Sequence, residues 1–329
     1  MMKIIGIGNA LVDILAQMKD EKLLEQFKLP KGSMTLVDRE MSNLINEETS
    51  GLKKTQASGG SAANTIHGLA NLGIETAYIG KIGRDELGQF FLQDMEKSGI
   101  SPILYQSVND TGRVMALVSP DSERTMATYL GAAIELMEDD LSSGIFDGYN
   151  YLYIEGYLIN NLALVKKSIQ LGKEEGLRVC IDLASYNIVE QYKDALLNEV
   201  LPETDIIFAN EEEAKALTGL EPKEALEKIS ELCDIAIAKT GSKGSLIKRG
   251  NEMVEVPAHK VESIDTTGAG DIYAAGFLYG QVMSMSLEQS ARIGTLLASR
   301  VIGIMGPKLD EKAWVELKRE IGMMEKKVQ

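Results

Sequence analysis

Ile264-Asp265-Thr266-Thr267-Gly268-Ala269-Gly270-Asp271-Ile272-Tyr273-Ala274-Ala275-Gly276-Phe277 passes from small residues into an apolar helical pattern. A glycine-rich turn that opens a helix leaves backbone N–H groups unpaired at the positive end of the helix dipole. Such a turn is an anion site, and its two glycines let the backbone approach a phosphate closely. Asp271 stands at the helix start, where the dipole keeps a carboxylate ionised and an attacking hydroxyl could give up its proton. An N-capping Asp after a glycine turn would account for any one of these residues. It does not account for the whole string from Asp265 to Asp271.

Outward from this string, short apolar runs alternate with helical patterns. The runs Lys3 to Ile7, Thr76 to Ile79, Tyr151 to Ile154, Arg178 to Leu183, Ile206 to Ala209, Ile235 to Lys239 and Ser245 to Lys248 read as buried strands. Amphipathic stretches at Leu162 to Glu175 and Glu211 to Thr218 lie between them, the first with Leu162, Val165, Ile169 and Leu171 on one face. This rhythm predicts a mostly parallel sheet with helices on both sides. It breaks at 14–38 and 103–129, where strand-like segments follow one another without helices. Val114 to Val118 and Thr125 to Tyr129 flank the turn Ser119-Pro120-Asp121-Ser122-Glu123, a hairpin signal. The expected division is an α/β domain from 1–13, 39–102 and 130–329, and a small antiparallel sheet from 14–38 and 103–129 that forms a lid. The last residues, Met323 to Gln329, read as a frayed polar end.

Hydrophobic residues make up 44% and charged residues 25% of the 329, so a core can form without staples. The net charge of −15 excludes a global basic field for nucleic acid and opposes anionic membranes. Any phosphate must therefore be attracted locally. Cys180 and Cys233 sit in apolar runs and read as reduced core residues. No run approaches the ~18 apolar residues of a membrane span, and the N-terminus leads straight into a strand. The default expectation is a cytoplasmic protein.

Further candidates surround the opening string. Ser58-Gly59-Gly60-Ser61-Ala62-Ala63-Asn64-Thr65 is a second glycine turn opening a helix. Its backbone amides and the Asn64 amide suit sugar hydroxyls. Asp13 follows the first strand at its carboxyl end, the usual ligand side of such sheets, and a carboxylate binds two neighbouring hydroxyls at once. Asn210 and Glu213, three apart at a helix start, fit a capping box and equally a hard-oxygen site for Mg²⁺ with its retained waters. Lys239-Thr240-Gly241-Ser242-Lys243-Gly244 reads as a nucleotide loop or as a plain hairpin turn. Arg113 and Arg124 read as surface arginines, with a phosphate or substrate clamp as the alternative. His67, His259 and Met283-Ser284-Met285 receive no functional role.

The strings Asp265 to Asp271 and Gly59 to Asn64 resemble the two signatures of the ribokinase-like, or PfkB, carbohydrate and nucleoside kinases. The resemblance implies a three-layer α/β/α fold with a small β lid, ATP as phosphoryl donor and Mg²⁺ as cofactor. It implies that Asp271 is the catalytic base and that Gly268, Ala269 and Gly270 form an anion hole. It assigns Asp13, Gly59, Gly60 and Asn64 to the sugar, Asn210 and Glu213 to magnesium and its water shell, and Thr240, Gly241 and Gly244 to ATP. It extends to a monovalent cation, K⁺, at Asp265 and Thr267. The start Gly8 to Asp13 and the segment Arg124-Thr125-Met126 are closer to adenosine-kinase-like members. A ribofuranose primary hydroxyl on a nucleoside such as adenosine is the expected acceptor, with free ribose, fructose or a related sugar next. A non-catalytic sugar or nucleotide sensor on the same fold is the third reading. A monomer, or a homodimer through the lid, is expected.

Other nucleotide folds fit less well. Gly6-Ile7-Gly8 lacks the third glycine of a dinucleotide fingerprint, with Leu11 in its place. Walker and protein-kinase signatures are absent from the sequence.

Overall fold

The structure, a computed structural model, describes residues 2–121, 123–306 and 308–326. The chain builds a nine-stranded sheet and a five-stranded sheet. In chain order the strands are β1 Lys3–Ile7, β2 Leu11–Gln17, β3 Met34–Leu36, β4 Lys54–Gly59, β5 Glu75–Gly83, β6 Ile100–Ser107 and β7 Gly112–Val118. They continue with β8 Arg124–Tyr129, β9 Tyr151–Glu155, β10 Arg178–Asp182, β11 Ile206–Asn210, β12 Ile235–Lys239, β13 Ser245–Arg249 and β14 Glu252–Val256. The large sheet runs β14-β13-β12-β11-β10-β9-β1-β5-β6. All its pairings are parallel except those of β13 with β12 and β14 at one edge.

Apolar runs were expected to be buried on both faces, and successive residues do point into two separate cores. Ile4, Tyr153, Cys180, Phe208 and Ile237 enter one core, which is shared with the helices Ser61–Asn71, Ala269–Val282 and Leu287–Val301. Ile5, Ile154, Ile181, Ile207 and Ala236 enter the other, with the helices Leu162–Glu174, Glu211–Thr218 and Pro222–Ile229. Period-two alternation between two apolar layers is the physical content of the three-layer arrangement. On the first face Phe208 and Phe277 meet edge to face at 5.7 Å, locking the 269–282 helix to the sheet.

The small sheet runs β3-β8-β7-β2-β4 and is mixed, not antiparallel as expected. β2 pairs with β7 in parallel, as does β3 with β8. The cause lies in the large sheet: β1 and β6 run the same way, so the strands that leave their carboxyl ends leave in the same sense. Sheet membership also departs from the expected bounds. β4, at 54–59, pairs with β2 in the small sheet, and β6, at 100–107, closes the large sheet beside β5. The hairpin of β7 and β8 forms, with Ser122 of its turn outside the described residues. The C-terminal helix Glu311–Lys326 takes in residues 323–326, which were expected to fray; residues 327–329 lie outside the described residues. Cys180 and Cys233 are free thiols, the first buried and the second partly so. Among the described residues, no helix is long and apolar enough to cross a membrane.

Candidate active site

Parallel strands that end together deliver side chains to one edge. Glu155 closes β9, Asp182 closes β10, Asn210 closes β11 and Lys239 closes β12, and the pairing register sets Glu155 beside Asp182 and Asn210 beside Lys239. The 269–282 helix begins above this row. Gly268 caps it in the left-handed region at φ 74°, a conformation that favours glycine. Ala269 N donates to Thr266 O at 3.2 Å. Among the described residues, the N–H groups of Gly270 and Asp271 have no acceptor. Free amides at a helix start can hold an anion; Ala269 N–H, expected among them, is engaged with Thr266 O.

Asp271 is the third residue of that helix. Ser61 Oγ donates to its Oδ1 at 2.7 Å and Asn64 Nδ2 to its Oδ2 at 2.9 Å. Thr65 Oγ1 donates to its backbone carbonyl at 3.1 Å, so the two helix starts are stitched together. Burial pushes the Asp271 carboxyl up to about 6. The hydrogen bonds from Asn64 and Ser61 oppose that rise, Asp182 adds to it, and Lys239 counters it.

The helix Ser61–Asn71 starts from Gly60, whose φ is 98°. A Cβ on Gly60 would lie 2.3 Å from Asn9 O, and one on Gly59 would lie 2.5 Å from the Asp13 carboxyl oxygens. These glycines are therefore required by close approach, Gly59 by the carboxylate that rests on it. Burial raises Asp13 to about 6, against the pull of Lys308 and Arg124, and the Asp271 charge raises it further. Asp13, Gly59, Gly60, Asn64 and Asp271 are thus brought into one place. Asn64 does not reach out over the glycines: its amide N–H faces Asp271, and its Oδ1 is buried with no partner among the described residues.

Glu155, unread in the sequence, ties the site together. Its carboxylate accepts Asn9 Nδ2 at 2.6 Å, Asn9 N at 3.4 Å and Ala62 N at 3.1 Å. Burial moves it up to about 7. Asp182 and Lys239 form an ion pair of 2.6 Å. Each of these residues ends an otherwise apolar strand, and that was the available signal. Ser61, also unread, sits inside a quoted motif.

Asn210 and Glu213 form the capping box: Asn210 Oδ1 accepts Glu213 N at 2.8 Å, and Glu213 Oε2 accepts Asn210 N at 2.7 Å. Glu213 is buried, and burial lifts its carboxyl to about 7 against the attraction of Lys239. With its oxygens engaged at the helix start, Glu213 suits a metal held through water. Thr240, Gly241 and Gly244 shape the β12–β13 hairpin, where Thr240 N donates to Gly244 O at 2.8 Å. Gly244 has φ 112° and a Cβ there would lie 2.0 Å from Val256 O, so this glycine has a structural reason of its own.

The arginines are not on the surface. Arg113 is 7% exposed and Arg124 is 8% exposed. Both belong to the small sheet, Arg113 on β7 and Arg124 on β8. Arg113 donates to Ser42 Oγ at 2.7 Å and lies over the Tyr129 ring. Arg124 pairs with Asp265 at 2.9 Å, both side chains 7% exposed. Asp265 also accepts Thr267 N at 3.0 Å and Gly306 N at 2.7 Å. In this state its carboxylate is committed to the loop and to Arg124. His67 is partly buried, with its ring nitrogens against Ser98 and Asn71.

A sequence model described as pfkB family carbohydrate kinase matches residues 34–313. The adenosine kinase of Saccharomyces cerevisiae is 30% identical over 330 residues, covering 92% of this chain and 96% of that protein. A crystal structure of adenosine kinase from Sinorhizobium meliloti superposes with a TM-score of 0.87 at 35% identity, over 97% of this chain and 99% of the other. A probable sugar kinase protein from Rhizobium etli CFN 42 matches with a TM-score of 0.87 at 33% identity over 98% of both chains.

Proposed function

The chain belongs to the PfkB family of carbohydrate kinases, and we propose that it transfers the γ-phosphoryl group of ATP to the primary hydroxyl of a ribofuranose, adenosine first among nucleosides. The observation that carries this reading is the Asp271 carboxylate, held by Ser61 and Asn64 beside free helix-start amides. A base and an anion cradle at adjacent residues are what an in-line transfer from a phosphate to a hydroxyl needs.

Asp13, resting on Gly59, grips vicinal hydroxyls, beside Gly60 and the Asn64 side chain that braces Asp271. Asp271 orients the acceptor hydroxyl and takes its proton. The amides of Gly270 and Asp271, at the turn from Gly268 through Ala269, hold the phosphoryl charge. Thr240, Gly241 and Gly244 border the donor nucleotide. Family membership implies Mg²⁺ with ATP, and the hard carboxylate of Glu213 would hold it through water. Mg²⁺, when bound, neutralises phosphate charge. The small sheet is the lid in this reading, with Arg124 as its contact to the loop that carries Asp265.

Adenosine is favoured over free sugar by the adenosine kinases of yeast and Sinorhizobium meliloti. The probable sugar kinase of Rhizobium etli supports the second reading, a free-sugar kinase. ADP release with ATP and Mg²⁺ across adenosine, other nucleosides, ribose and fructose separates them, run with and without K⁺. The highest kcat/KM is expected on adenosine. A better rate on ribose or fructose selects the second reading, and nucleotide binding without ADP release on any acceptor selects a sensor.

A further inference from the structure

Lys239 ends β12 with its ammonium paired to Asp182, and that pair alone would make it a neutralising residue. Gly270 says otherwise. It lies in the first turn of a helix, where glycine gives up more backbone freedom than alanine would. Its φ is not positive, so backbone conformation does not demand glycine. A Cβ built on Gly270 would meet three nearest atoms, all from Lys239, and the nearest is Nζ at 3.1 Å. The side chain is missing at 270 where an ammonium comes in head-on against the anion cradle. The pair is also not sealed: Lys239 keeps 14% side-chain exposure, against 6% for Asp182.

We propose that Lys239 is a catalytic cation of the transfer, contacting the migrating phosphoryl beside the Gly270 and Asp271 amides while Asp182 holds it there. The inference rests on the kinase reading and adds a residue to it. In the step, the acceptor oxygen bonds to the γ-phosphorus as the bond from that phosphorus to the β–γ bridging oxygen breaks. The electron pair leaves with ADP and the hydroxyl proton passes to Asp271. Lys239 enters and leaves the step as an ammonium, paired with Asp182. A single point charge on the equatorial oxygens is the help a loose phosphoryl-transfer state can use.

Truncating Lys239 alone would strand the Asp182 charge, so the test uses the neutral pair Asp182→Asn with Lys239→Met, beside Asp182→Asn alone. Replacing both partners of a buried ion pair is often neutral for folding, which thermal unfolding checks. Calorimetry with ATP·Mg²⁺ and with ADP·Mg²⁺ then reads how strongly each protein prefers the triphosphate. The double variant is expected to lose about 10- to 100-fold of that preference, the scale of a hydrogen bond to a charged group, and a similar factor in kcat with adenosine. Asp182→Asn, which keeps the ammonium, is expected to retain the preference. A folded double variant with the wild-type preference overturns the proposal, as does equal loss in both variants. Because the preference is read without an acceptor, a wild-type protein that phosphorylates nothing on the panel defeats the acceptor assignment and leaves this test standing.

Discussion

Asp271→Asn is expected to make the protein more stable and nearly inactive at once. The carboxyl lies at about 6 in the fold against an ordinary 3.8, so keeping it ionised at pH 8 costs the folded state about 3 kcal/mol. The unfolded chain releases its proton first as pH rises. Wild-type stability therefore falls between about pH 4 and pH 6 and is level above, relative to a variant that cannot ionise. The amide fits the site. Ser61 can still donate to it, and an Asn64 amide turned over would offer its partnerless Oδ1 to the new N–H. A gain of several degrees in Tm is expected at pH 8, shrinking to nothing near pH 4. Turnover should fall by at least ~10²-fold, the scale of a lost general base, with ATP affinity retained. Thermal unfolding of both proteins across that pH range, with ADP release at pH 8, reads both effects. A variant less stable than wild type at pH 8, or one with near-normal kcat, refutes the assignment of a buried, ionised base.

Gly59→Ala drives a methyl into the Asp13 carboxyl at 2.5 Å and should raise the acceptor KM by about tenfold or more while ATP KM stays put; an acceptor KM left unchanged would remove Asp13 from the acceptor. kcat/KM for the acceptor should fall below about pH 6, where Asp13 and Asp271 both take up protons, and a profile flat from about pH 5 to 7 would contradict this. Glu213→Gln keeps an oxygen for the capping box and should weaken ATP·Mg²⁺ binding with little change in Tm, whereas Glu213→Ala should cost about 1 kcal/mol more; calorimetry and unfolding distinguish the two. Arg124→Met strands buried Asp265 and should cost about 3 kcal/mol in urea unfolding, most of it recovered by adding Asp265→Asn.

The parallel core was legible because strands buried on both faces must be apolar along their whole length. Edge strands do not obey that rule, and they depart from the expected bounds. β4, Lys-Thr-Gln-Ala-Ser-Gly, is half exposed along its length and carries no apolar period. β6 contains Pro102 opposite Tyr78, tolerable only because no strand lies beyond it. The anion cradle and Gly59 to Asn64 were legible because glycine costs a helix start stability, so a glycine turn there points to close approach by a ligand or a neighbouring group. Glu155, Asp182 and Lys239 were not, since a charged residue after an apolar run looks like the end of burial. Here it is burial that continues, with the charge turned into the site. The arginines misled for the related reason that their partners lie far off in sequence, Asp265 and Asp13 for Arg124 and Ser42 and Asn43 for Arg113.

The chain passes between the two sheets four times, and the passages are pinned in pairs. Glu155 holds the passage at Asn9 to the one at Gly60–Ala62. On the other side Ala132 N donates to Asp110 O at 2.8 Å, and Asp85 takes Thr111 N at 2.8 Å. Two pinned points act as the knuckles of a door. In the lid reading proposed above, the small sheet swings about the line through them, and Arg124 on Asp265 is the bolt on the free side. In that reading a drawn Arg124 leaves the loop three residues before Gly268 short of a partner, so the phosphate cradle is fully braced only when the acceptor is shut in.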